Sequence, residues 1–232
     1  MMFRVSRRFL SFLICIAVPA GALHAQTQPP VPSSSSAKHA KKPAALLDSG
    51  IDAGTVTNNV YRNKTLAVTC KIPAGWVLRT DEMNEPEEEK DSPDPAQSTA
   101  PAASSAGAKV LLAAFSRPPE ARAEDMNSSI LIAAEGAASY PGLKDAAQYF
   151  GPLTEVAKAQ GFTIDEDPYE TAVGTKTLVR GDFHKDVGTR VMHQSTLAML
   201  AHGYAVSITI IAGTEDEVEE LIDGLTFTPN GK

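Results

Sequence analysis

The sequence predicts an α+β fold, an antiparallel β-sheet flanked by helices, and three observations carry that expectation. Segments of two-residue alternation occur both before and after a segment of helical period. The two longest alternating segments flank a tight turn. The last apolar stripe before the C-terminus has helical spacing. Hairpins segregated from helices, in place of regular strand–helix alternation, argue against a parallel sheet. Of the 232 residues, 43% are hydrophobic and 21% charged, enough for one core of roughly 150 residues once two apolar-poor stretches are set aside.

The first strand is clear in Leu66, Val68, Cys70 and Ile72, which alternate with Thr65, Ala67, Thr69 and Lys71. Pro73-Ala74-Gly75 then turns the chain and presents Trp76. Residues 110–115 and 130–134 are short apolar runs that read as buried strands. Leu143, Ala146, Ala147, Phe150, Leu153 and Ala157 recur at helical spacing up to Gly161, a natural stop. Gly151-Pro152 falls inside, so this helix is expected to kink or split there.

Residues 162–165, 170–173 and 175–183 are strand candidates. Residues 190–200 and 204–212 read as a long hairpin turning at His202-Gly203. A two-residue loop sets Met199 opposite Val206 and Leu197 opposite Ile208 on one greasy face. Ala198 and Thr196 then face Ser207 and Thr209 on a small, polar one. Thr214 with Glu217 forms a capping box, Glu215 and Asp216 suit a helix N-terminus, and Val218, Leu221, Ile222 and Leu225 make an apolar stripe ending near Gly224.

Two stretches have little to bury. Residues 26–54, with Pro29-Pro30, Pro32, four consecutive serines and Lys41-Lys42, are expected to be a disordered spacer, with a short amphipathic piece at residues 44–47. Residues 81–108 are expected to be a disordered insertion. Their eight acids against Lys90 account for most of the chain's negative charge, and they lack the alternating ligand pattern of a calcium loop. The single α+β domain is accordingly placed at residues 55–229.

Residues 1–25 read as a secretory signal peptide. Arg4, Arg7 and Arg8 form a positive start, an apolar run spans residues 9–18, and small residues lead to cleavage after Ala25, or alternatively after Ala22. The run is shorter than the roughly 20 residues a spanning helix needs. Export to the periplasm or the exterior follows, by either the general or the twin-arginine route. Cleavage removes three arginines and no acids, which takes the formal charge from −7 to −10 and leaves Cys70 as the one cysteine. No internal disulfide can then form. An acidic chain with pI near 5.3 also lacks the basic face that nucleic-acid binding uses.

Tyr61-Arg62-Asn63 and the following strand into Ile72-Pro73-Ala74-Gly75-Trp76 resemble the opening of PsbP-like and DcrB-like domains. The helix ending at Gly161, the strand start at Gly174, and Gly203-Tyr204 leading to a strand and a terminal helix follow the same order. The resemblance covers residues 60–227, interrupted by the acidic insertion. It implies an antiparallel sheet flanked by helices in an exported or envelope-associated protein, mostly of non-catalytic or accessory role. It transfers no functional residue.

The residues offer little catalytic chemistry. There is no Gly-x-Ser-x-Gly elbow, no phosphate-binding glycine loop and no dinucleotide fingerprint. Cys70 shares a face with Leu66, Val68 and Ile72 and is expected to be buried and inert. His39, His184, His193 and His202 lack the one-turn helical spacing of a zinc pair, and His193 is expected at the edge of the core. Asp165, Glu166 and Asp167 form an acidic knot at a strand end, expected to be a solvated turn. Asp182, His184 and Arg190 are expected to gather on one polar sheet face, as charge pairs or as a general-base site. Asn63-Lys64-Thr65 and Asn127-Ser128-Ser129 match the glycosylation sequon, which matters only in a eukaryotic secretory pathway. No cofactor is indicated. The reading is an exported, non-catalytic binding or accessory protein with an envelope or extracellular partner. The alternatives are a secreted hydrolase using Asp182, His184 and Arg190, or a periplasmic carrier of metal or a small ligand.

Overall fold

The computed structural model describes residues 51–85, 108–118 and 126–228. The segments expected to be a signal peptide (1–25), a spacer with an amphipathic piece at 44–47 (up to residue 50) and an acidic insertion (86–107) lie outside the described residues.

The strands are antiparallel and form two sheets. The smaller contains β1 (Thr55–Thr57), β2 (Val60–Asn63), β3 (Val68–Lys71) and β12 (Leu225–Phe227), in that order. The larger runs β4 (Val77–Leu78), β5 (Lys109–Phe115), β6 (Ser129–Gly136), β11 (Tyr204–Ala212), β10 (Arg190–Ala201), β9 (Lys176–Val187) and β7 (Thr163–Ile164). A further strand, β8 (Tyr169–Val173), also pairs with β9. Among the described residues three α-helices complete the unit: α1 (Thr80–Asn84), α2 (Ala146–Ala159) and α3 (Glu215–Asp223). Among the described residues no helix is long and apolar enough to cross a membrane.

The hairpin of β10 and β11 has the register its alternation predicts. Met199 pairs with Val206, Leu197 with Ile208, Ala198 with Ser207 and Thr196 with Thr209. His202 and Gly203 both take positive φ, 51° and 82°, the backbone that a two-residue hairpin turn demands. A second such turn, at Asn58-Asn59 with φ of 51° and 56°, joins β1 to β2.

The smaller, more polar face of this hairpin is not solvated. Ala198 and Ala205 are fully buried with Tyr149, Phe150 and Phe183, because α2 lies across that side. The opposite face carries Leu197, Met199, Val206 and Ile208. It packs against Val218, Leu221 and Ile222 of α3 and against Tyr61, Cys70 and Phe227 of the small sheet. Each buried aliphatic side chain there contributes about 1.5–3 kcal/mol.

Three expectations change. Residues 51–54 belong to the fold and not to a spacer: Ile51 is buried in the main core, and the Tyr61 hydroxyl donates to the Ala53 carbonyl at 3.1 Å. The stretch expected to be disordered from residue 81 begins with α1, which covers the free edge of β5. Thr80 Oγ1 accepts from Ala113 N–H at 3.0 Å. The Asn84 side-chain amide donates to Val110 C=O at 2.9 Å and accepts from Val110 N–H at 3.0 Å, as a neighbouring strand would. Finally, of the kink or split expected at Gly151-Pro152, the split does not occur: α2 runs uninterrupted through Pro152. It begins at Ala146 because Asp145 caps it, accepting from Gln148 N–H at 2.9 Å. Tyr149, Phe150 and Ala157 hold it to the sheet on both sides of the proline.

Candidate functional site

The polar side chains converge where β9 and β10 meet the start of α3. Even-numbered residues of β9 point to the α3 side of the sheet, which places Arg180 and Asp182 beside Leu178 of the main core. Asp182 pairs with Ser195 of β10, and Arg180 pairs with Tyr169 of β8. All four side chains therefore meet. Arg180 Nε donates to Asp182 Oδ1 at 2.9 Å and Oδ2 at 3.0 Å, the Tyr169 hydroxyl donates to Oδ2 at 2.8 Å, and the Ser195 hydroxyl donates to Oδ1. Arg180 Nη2 reaches on to Glu219 of α3.

The Arg180–Asp182 pair is largely withdrawn from water, with side-chain exposures of 12% and 19%. Burial by itself lowers the pKa of Arg180. Its hydrogen bonds and charge pairing with Glu219 and Asp182 more than reverse that and hold it above the ordinary arginine value. Burial, and then the hydrogen bond to Asp182 and its charge, push the Tyr169 phenol up to about 12.

These residues line a cleft of about 270 Å³ together with Asp165, Glu166, His193 and Glu215. Its walls carry five carboxylates against one guanidinium, a field that favours cations over anions. His184 and His193 sit directly opposite each other on β9 and β10. His184 Nδ1 meets Asp165 Oδ1, and His193 Nδ1 lies 3.6 Å from Glu215 Oε1. Asp165 is thus engaged with His184 and not simply a solvated turn residue. Among the described residues no three of His, Cys, Asp and Glu converge as a metal site.

Arg190 is not part of this face. Val187 pairs with Arg190 across the β9–β10 turn, so Arg190 projects to the side opposite Asp182 and His184, at the far end of the hairpin. The cation that joins Asp182 is Arg180, two residues away on the same strand. The alternation of Leu178, Arg180, Asp182 and His184 carries that signal. Tyr169, Ser195 and Glu219 depend on the strand register and on helix packing, which alternation alone leaves open.

Elsewhere, Cys70 is fully buried, and burial pushes its thiol up to about 12, so it is protonated and shielded at neutral pH. A second polar cluster ties α2 to the sheet: Glu135 of β6 accepts from the Tyr149 hydroxyl at 2.7 Å and from the Tyr140 hydroxyl. Burial first, and then the bond to Glu135, raise the Tyr149 phenol above its usual range.

Strand order and packing thus define an antiparallel α+β unit whose central polar cluster is bonded chiefly to itself. No protein-family model matches the chain, and no curated protein matches it. The chain is similar to the solution structure of cyanobacterial PsbP (CyanoP) from Synechocystis sp. PCC 6803. That likeness has 13% identity and a TM-score of 0.42, and covers 80% of this chain and 100% of the other. It is also similar to LpqN, involved in cell envelope biogenesis of Mycobacterium tuberculosis, at 16% identity and a TM-score of 0.34, over 70% of this chain and 83% of the other. A third likeness is to PA94 from Pseudomonas aeruginosa, a protein of unknown function and putative regulator. It has 14% identity and a TM-score of 0.34, over 49% of this chain and 80% of the other. The first bears the family name that the strand-to-Trp76 opening resembles.

Proposed function

We propose that this chain is an exported, non-catalytic binding or accessory protein acting in the periplasm or outside the cell. The N-terminal pattern of three arginines, a short apolar run and small residues before Ala25 supports export. The observation that carries the non-catalytic reading is the saturation of Asp182. Its two oxygens already accept from Arg180, Tyr169 and Ser195. A general base needs a free lone pair aimed at substrate, and a nucleophilic serine needs a base to take its proton. Here the serine hydroxyl serves the carboxylate as a donor, with no imidazole between them. The hydrolase alternative also loses Arg190, which lies on the other side of the sheet.

The test has two parts. N-terminal sequencing of the secreted or periplasmic protein is expected to begin at Gln26. The processed protein is then assayed against ester, phosphoester, glycoside and peptide substrates beside Ser195→Ala and Asp182→Asn. Turnover that falls in either variant, without loss of folded protein, refutes the non-catalytic reading, and retention of the full chain in the cytoplasm refutes export.

A further inference from the structure

We propose that His184 and His193 form a two-imidazole binding site for a late first-row divalent metal ion, with Cu²⁺ held more tightly than Zn²⁺. The site goes beyond the accessory reading and does not depend on it. Residues directly opposite on an antiparallel pair share one face, with Cβ atoms about 4.5–5.5 Å apart. The register places His184 and His193 in that relation. Two imidazoles so placed can direct their outer nitrogens to one ion at about 2.0–2.1 Å.

The orientation of the rings supports this use. Each Nδ1 faces a carboxylate, Asp165 for His184 and Glu215 for His193, whereas neither Nε2 has a hydrogen-bond partner among the described residues. A carboxylate behind the inner nitrogen fixes the tautomer and raises the basicity of the outer one, an arrangement that recurs behind metal-bound histidines. The side chains are 37% and 22% exposed, so an ion can reach them. Glu166, Asp182 and Glu219 on the neighbouring walls add negative field, against Arg180 alone.

Because no third ligand converges, two positions come from this chain and the others from water or an external group. That ligand set selects against Ca²⁺ and Mg²⁺, which require several oxygens. Imidazole nitrogens with open positions follow the order in which Cu²⁺ binds above Zn²⁺.

Calorimetric titration of the processed protein with CuCl₂ and with ZnCl₂, in a non-coordinating buffer, is expected to show one Cu²⁺ equivalent and weaker Zn²⁺ binding. Electron paramagnetic resonance of the Cu²⁺ complex should show nitrogen coupling. His184→Asn and His193→Asn should each weaken Cu²⁺ binding at least about 10-fold, and Asp165→Asn about 10-fold through the lost backing carboxylate. His39→Ala and His202→Ala should leave it unchanged. In the wild-type protein, sub-stoichiometric Cu²⁺ should broaden the NMR signals of residues 184 and 193 first, a readout that needs no variant to fold. Absence of binding, broadening centred elsewhere, binding retained in a folded His184→Asn/His193→Asn variant, or binding lost with His39 overturns the proposal.

Discussion

Replacing Asp182 by alanine removes the acceptor that Arg180, Tyr169 and Ser195 share. Arg180 would stay 12% exposed with only Glu219 for a partner, and Glu219 is itself 54% exposed and screened by water. Removing one member of a buried ion pair costs about 3–5 kcal/mol, and the residual exposure of this pair places it near the lower end. Ser195 is 1% exposed, and its orphaned hydroxyl adds about 1 kcal/mol. The expected loss is therefore about 3–4 kcal/mol, or roughly 10 °C in Tm for a unit of this size. Urea unfolding followed by circular dichroism measures it, with the slope unchanged between variants. Arg180→Met combined with Asp182→Leu should recover most of the loss, since well-packed apolar residues replace a buried pair at little cost. An Asp182→Ala protein within 1 kcal/mol of wild type would show that the cluster is not a strut and that the reading of the cleft as internally bonded is mistaken.

Four other outcomes follow from the packing. Cys70 and Tyr61 are each pushed up to about 12 by burial, so both prefer their neutral forms when folded. Their contribution is complete below the unfolded values, near 9 and 10, and disappears as pH rises towards 12. Guanidinium midpoints should be level up to pH 9 and fall above it, less steeply in Cys70→Val. Thiol labelling of native Cys70 should be slow and become fast in denaturant. Asn84→Ala leaves Val110 N–H and C=O without their side-chain partners and should cost about 1–3 kcal/mol, read by thermal unfolding, with light scattering revealing association through the bared edge. Gly181→Ala would place a Cβ 2.5 Å from Phe150 Cε1, and displacing that ring should cost about 1–3 kcal/mol in urea; a neutral substitution would mean that α2 does not rest on β9 as described.

Local chemistry made part of this structure readable. Thr214 and Glu217 mark the start of α3 within a few residues, and the Thr214 side chain does accept from Glu217 N–H, at 3.1 Å. The β10–β11 register followed from alternation joined to a two-residue turn. Which elements would cover each face was not readable, because coverage by α2 depends on contacts distant in sequence. That is why alternation alone did not say that the small, polar row with Thr196 and Ala198 is buried. The Asn58-Asn59 doublet is a turn signal that could have disclosed the first hairpin. α1 has no apolar stripe; it exists through Thr80 and Asn84 bonding to a strand about 30 residues later, beyond any local pattern.

The candidate site divides along the same line. Asp182 and His184 share a face because they are two residues apart on one strand. The assignment of Arg190 failed on parity: a two-residue turn pairs Val187 with Arg190, so even positions on β9 share a face with odd positions on β10. The same count, carried through, brings His193 and Ser195 onto the side of His184 and Asp182.

The Asn84–Val110 clasp ties together two points 26 residues apart in the chain. One amide there answers both the N–H and the C=O of Val110, so neither backbone group is left unpaired. A single short side chain thereby stands in for a missing strand, and the sheet ends at that point without needing another one.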